Sequence, residues 1–181
     1  MGLFGRMMRD RGFNFFAYDR HQFPFYMDQF HANDPSTLEP ALITSHEVLE
    51  HLADPGRELT DIFGRGAELV IVSTEIFQGQ GPDWSYLAPH HGQHVFFYAQ
   101  RAMEMIGARF GYNYATIPML HVFWRAELGN RSNILGALRI ANDPQQFGQI
   151  VLQAFLNHAA APYHHAIRDM DAIAMKAVPA R

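Results

Sequence analysis

Apolar and polar positions change period several times along the chain, and the changes mark out alternating elements. Residues 68–73 (ELVIVS) form a short apolar run rich in β-branched side chains, which predicts a strand buried on both faces. Residues 41–45 (ALITS) read as a second strand. The aromatic run 13–18 reads as a third, with Asp19 at its carboxyl end. Helical spacing predicts the tail of a helix over 3–10 (Leu3, Met7, Met8), closed by Gly12, and a helix or helical turn near 47–53, ended by Asp54-Pro55. It predicts further helices over 56–64 (Leu59, Ile62, Phe63) and 99–110, the latter with Ala102, Met105, Ile106 and Phe110 on one side. Met7, Met8, Met103 and Met105 stand at spacings suited to core packing. Residues 112–117 and 120–124 predict an antiparallel pair around Pro118, whereas 21–36 and 77–94 are irregular. Beyond residue 130 the composition predicts helices near 131–141, 144–159 and 163–176. Strands alternating with helices predict an α/β sheet.

Composition narrows the function classes. A chain of 181 residues favours one domain with a sizeable core. The net charge of −4 and the lack of a basic stripe argue against a nucleic-acid partner. No apolar run reaches the roughly 18–20 residues of a membrane span, and the first ten residues lack the order of a signal peptide. The expectation is a cytoplasmic protein. The absence of cysteine removes disulfides, thiolate zinc sites and a thiol nucleophile together.

The candidate chemistry lies in residues 47–52 (EVLEHL). On a helix, Glu47, Glu50 and His51 fall at i, i+3 and i+4 and share one face. Two carboxylates and an imidazole on one face suit a hard-to-borderline divalent ion. A structural reading stands beside it: solvent-facing glutamates and a helix-terminal histidine satisfied by a backbone carbonyl. His46-Glu47 and His51 do not make a zinc-protease motif, because at i, i+5 the two imidazoles would point about 140° apart. Further on, His90, His91 and His94 stand between Trp84/Tyr86 and Phe96/Phe97/Tyr98, a composition that predicts a partly buried ligand pocket. His164 and His165 have no partner pattern around them and read as surface.

Two segments carry a resemblance. Residues 47–55 (EVLEHLADP) and 84–98 (WSYLAPHHGQHVFFY), with a buried strand between them, resemble class I S-adenosylmethionine-dependent methyltransferases. The closest likeness is to a bacterial branch with E-V-L-E-H and H-G-Q-H segments, and it covers about residues 2–125. It implies a Rossmann-like α/β sheet with helices on both faces over 1–125, and a C-terminal helical extension over 126–181 packed on the same domain. It also implies that S-adenosylmethionine is bound by Asp19 on the ribose, Asn33 and Asp34 near the adenine, Gly2 as the remnant of the Gly-rich loop, and Ser45 and His46 at a strand end. The E-x-x-E-H spacing is similar to the metal motif of ubiquinone-pathway O-methyltransferases and small-RNA 2′-O-methyltransferases. That likeness implies Mg²⁺ or Mn²⁺ on Glu47, Glu50, His51 and His94, with His91 and His90 behind His94. Many other members carry E-V-L-E-H without a metal, where the motif shapes the floor of the cofactor site.

The implied reaction is O-methylation of a small-molecule or sugar hydroxyl. A divalent ion would lower the hydroxyl pKa and aim it, and His51, His94 or His91 would take the proton. One departure stands out. The G-x-G-x-G loop and first strand of such enzymes are missing, so the chain resembles one that starts inside the first helix, with Gly2 as a remnant of the loop. A lost central strand would leave two open edges and a template for a homodimer. The same departure supports the alternative of a catalytically inactive methyltransferase-like binding or assembly module. A metal-binding α/β domain without methyl transfer is the third reading.

Overall fold

The computed structural model describes residues 2–117 and 120–128, which fall into two compact units, 2–37 and 38–128. The helices expected beyond residue 130, and His164 and His165, lie outside the described residues.

In the first unit, helix α1 (Leu3–Asp10) follows Gly2, whose φ of 82° favours glycine. Gly5 is buried against Met27, so that an added Cβ would stand 3.0 Å from Met27 Cε. Arg9 lies 3.4 Å from the centroid of the Phe30 ring and donates to the Phe15 carbonyl at 3.0 Å. The strand expected over 13–18 does not form. A single parallel bridge joins Ala17 to His31, and within 13–18 only Ala17 makes ladder-type bonds, giving its N–H to Phe30 and its carbonyl to Ala32. β propensity drew these aromatic residues as a strand, but a strand needs a partner for each backbone group in turn.

The second unit holds a four-stranded mixed sheet in the order β1-β2-β4-β3. Strand β1 (Leu42–His46) is parallel to β2 (Leu69–Ser73), so both strands end together at the pair His46–Ser73. The hairpin β3 (Tyr112–Ile117) and β4 (Leu120–Arg125) completes the sheet, with β4 antiparallel to β2. Helix α2 (Pro55–Phe63) begins as its sequence requires: Pro55 takes the first turn, and the Asp54 carboxylate accepts the Arg57 N–H. Helix α3 (Gln100–Phe110) ends on Gly111, at φ 78°.

Val70, Val72 and Phe123 of the sheet pack with Leu59 and Phe63 of α2 and Met103 of α3 in one core. Phe63 is its hub, 5.0 Å from Phe123, 5.3 Å from Phe110 and 5.5 Å from Tyr112 between ring centroids. Gly107 lets α3 approach the sheet; a Cβ there would meet the Tyr112 carbonyl at 3.0 Å. Met7 and Met105 correct one expectation, since both are exposed. Met105 is 59% exposed while Met103 is buried, because two residues along a helix turn the side chain about 200° away.

His121 on β4 is 3% exposed and fully engaged. Its Nε2–H meets the Thr74 carbonyl at 3.0 Å, so Nδ1 is the lone pair that accepts the Tyr114 hydroxyl at 2.9 Å. Burial lowers its pKa against the opposing pull of the Thr74 carbonyl. The folded chain therefore binds fewer protons than the unfolded one below the usual histidine pKa of about 6.5, and stability rises with pH there. Denaturation midpoints should fall as pH drops from about 7 through 6.5. His121→Gln should flatten that slope in a pH series of urea melts; an unchanged slope would exclude His121 as its source.

Candidate functional site

The site begins where β1 and β2 end side by side. Glu47, the first residue past β1, has φ 51°, a left-handed conformation uncommon for a residue with a side chain. Of the helix or helical turn expected near 47–53, the turn forms: a single 3₁₀ turn, Leu49–His51. Glu47 lies before it and does not share the helical face inferred from spacing. Its N–H reaches the Ser73 carbonyl and Oγ, both at 3.1 Å. Its carboxylate accepts the Ser73 hydroxyl at 2.7 Å and the Tyr86 hydroxyl at 3.0 Å. Since Tyr86 gives its proton to Glu47, Thr74 Oγ1 is the donor in the 3.1 Å contact with Tyr86.

Glu50 turns the other way, into the protein. It is 0% exposed, and neither carboxylate oxygen has a hydrogen-bond partner. Its backbone carbonyl accepts the N–H groups of Val95 and Phe96, which ties the loop after residue 90 to the 3₁₀ turn. The loop brings His94 beside His51, their ring centroids 4.8 Å apart. His51 Nδ1 lies 2.9 Å from the Gln93 carbonyl, and His94 Nδ1 is bonded to the Tyr86 carbonyl. A carbonyl can only accept, so both rings carry the proton on Nδ1, and in the neutral rings both Nε2 atoms are lone pairs. His51 Nε2 stands 3.8 Å from Glu50 Oε1. Ligand atoms of Glu50, His51 and His94 all lie within 4.8 Å of one another.

That donor set fits a divalent ion. A buried carboxylate without a donor is costly in isolation and is what a cation would satisfy. Two imidazoles fixed through Nδ1 are oriented as metal-binding histidines are. Among the described residues this is where three such side chains converge. The sequence-derived set of four thus contributes three members to the cluster, with Glu47 outside it. His90 and His91 are exposed and not part of the group.

The surrounding tyrosines register the carboxylate. Tyr98, whose hydroxyl donates to the Leu49 carbonyl, is pushed up to about 12 by burial, then by the charges of Glu50 and Glu58. Burial and the Glu50 carboxylate likewise hold the Tyr86 proton on. Tyr86 is also the residue that spacing did not single out: its hydroxyl holds Glu47, while its carbonyl sets the His94 tautomer. No sequence motif announces a backbone carbonyl.

The remaining candidates are placed individually. Ser45 is half-buried in β1, and His46 is exposed at its end. In the first unit, Asp19 Oδ1 accepts the N–H groups of His21 and Gln22, both at 2.8 Å, and Oδ2 has no partner among the described residues. Partial burial raises the Asp19 pKa, but the two N–H bonds together with nearby positive charge outweigh it and the net shift is downward. Asp34 caps a 3₁₀ turn, accepting the Ser36 N–H at 2.9 Å, and Asn33 beside it is exposed.

A family model described as a methyltransferase domain matches residues 1–117. The chain belongs to that family. The usual methyl donor of such domains is S-adenosylmethionine, and the mixed four-stranded sheet is the Rossmann-like fold of class I methyltransferases. No curated protein matches the chain at a significant level. No helix among the described residues is long and apolar enough to cross a membrane.

Proposed function

We propose that the protein is a cytoplasmic S-adenosylmethionine-dependent O-methyltransferase acting on a small-molecule or sugar hydroxyl, with a divalent ion, Mg²⁺ or Mn²⁺, held by Glu50, His51 and His94. The observation that carries the metal is the buried Glu50 carboxylate, without a hydrogen-bond donor, beside two Nε2 lone pairs. When bound, the ion would lower the pKa of the acceptor hydroxyl and fix its direction. The chain supplies the rest. Gln93 and Tyr86 keep the imidazoles in register through their carbonyls, and Ser73 and Tyr86 hold Glu47 at the rim.

When bound, S-adenosylmethionine would supply its methyl group to the acceptor oxygen, the sulfur keeping the electron pair of the broken carbon–sulfur bond as S-adenosylhomocysteine. The hydroxyl proton leaves to a nearby base; with both ring nitrogens of His51 and His94 engaged by carbonyl and ion, the exposed His91 is the candidate among the three catalytic histidines. Asp19, with Oδ2 open, is the proposed ribose ligand, and Gly2, Asn33, Asp34, Ser45 and His46 are the proposed remainder of the cofactor site.

Isothermal titration of S-adenosylhomocysteine into the chain, with and without Mn²⁺, tests the reading. Micromolar binding is expected, along with a separate Mn²⁺ isotherm abolished by His94→Ala. Folded protein that takes up neither would overturn the proposal.

A further inference from the structure

The two stretches that form the site, 46–54 and 74–99, contain Glu47, Glu50, Asp54, Glu75 and Asp83 and no lysine or arginine. Beside the three converging ligands stands a wall of aromatic rings. Trp84 is 6.0 Å from Phe77, 5.4 Å from Tyr86 and 5.3 Å from Phe97, and Tyr86 is 4.6 Å from His94, between ring centroids. The rings are incompletely covered: Phe77 is exposed, and Trp84, Tyr86 and Phe97 are half-buried.

Two carboxylates are pinned to this wall by the rings themselves. Trp84 Nε1–H donates to Glu75 Oε2 at 2.9 Å, and the Tyr86 hydroxyl donates to Glu47 Oε2 at 3.0 Å. Ring faces carry negative quadrupole, and the carboxylates at their edges add full charge. Even a divalent ion on Glu50 leaves the trio Glu47, Glu50 and Glu75 with a net negative charge. An anionic acceptor, such as a phosphorylated sugar, would meet repulsion from Glu47 and Glu75 at the edges of these rings.

We propose that the acceptor recognised here carries a cationic nitrogen beside its hydroxyl, the nitrogen seated against Trp84, Tyr86 and Phe97 between Glu47 and Glu75. This rests on the methyltransferase reading above and adds the charge class of its substrate. Choline and 3,3-dimethylbutan-1-ol, its uncharged carbon isostere, isolate that charge. They are titrated into the full chain saturated with S-adenosylhomocysteine and Mg²⁺, with the change in tryptophan fluorescence, from Trp84 over the constant background of buried Trp124, as the readout. Choline is expected to bind at least tenfold more tightly, a difference of about 1.4 kcal/mol that aromatic faces and nearby carboxylates can supply. Glu75→Gln should reduce the ratio to within about threefold through the choline affinity alone, leaving S-adenosylhomocysteine affinity unchanged. Equal affinities, or no choline binding while S-adenosylhomocysteine still binds, would sink the cationic acceptor and leave the methyltransferase standing. Loss of S-adenosylhomocysteine binding in the unmodified chain would sink both.

Discussion

Glu50→Leu is expected to move stability and metal binding in opposite directions. The Glu50 carboxylate is wholly buried and neither oxygen has a donor. An apolar side chain of similar size removes a desolvated polar group from a site where no hydrogen-bond donor compensates it. Metal-free protein should therefore gain about 1–3 kcal/mol, read as an upward shift in thermal midpoint under chelation. Metal affinity should collapse. Mutating residues that only orient a ligand costs 10–100-fold, so loss of the charged ligand itself should cost about a hundredfold or more. In the unmodified chain, a metal at a hundred times its Kd should add about 2.7 kcal/mol; in Glu50→Leu that increment should vanish. A fall in metal-free stability would mean that the carboxylate has a structural partner and is not a vacant ligand. Methyl transfer, if metal-assisted, should fall with the metal affinity.

The second large effect is expected in the core. Phe123 is fully buried on β4, paired with Val70 and wedged between Phe63 and Tyr114, each 5.0 Å away between ring centroids. Its neighbours belong to α2, β2 and β3, which are held by strands and helices and can collapse only partly into a void. Phe123→Ala should cost about 3–5 kcal/mol, the lost transfer energy plus the cavity. Against a typical stability of about 5–15 kcal/mol, that leaves a chain close to unfolding. Urea denaturation followed by far-ultraviolet circular dichroism should show the midpoint falling sharply. A loss below about 1 kcal/mol would mean that the aromatic cluster is not the hub of this unit.

These two residues differ in how legible they were. The packing frame was largely written in local pattern. The run from Leu69 to Ser73, the Asp54-Pro55 start of α2, the Gly111 end of α3 and the β3–β4 pairing all follow from apolar period and terminal chemistry. The aromatic run 13–18 failed because propensity was present and a continuous backbone partner was not. At the site, the segments 47–52 and 90–98 carried visible chemistry, but the rule that joined Glu47 to Glu50 and His51 assumed a helix. The positive φ at Glu47 broke that period after a single residue.

The sequence by itself determined the alternation of strands and helices, the family resemblance and the residue types available to a metal or a cofactor. All of these depend on neighbours a few positions away, within reach of a single turn or strand. Only the tertiary structure decided that Glu50 is buried and Glu47 is not, that Glu47 lies outside the group that His94 joins, and that Tyr86 engages Glu47 and His94 together. Those outcomes depend on the pairing of His46 with Ser73 and on the Glu50 carbonyl capturing the N–H groups of Val95 and Phe96. Contacts across more than twenty residues are set by how the strands and loops pack in space, and local periodicity carries no record of them.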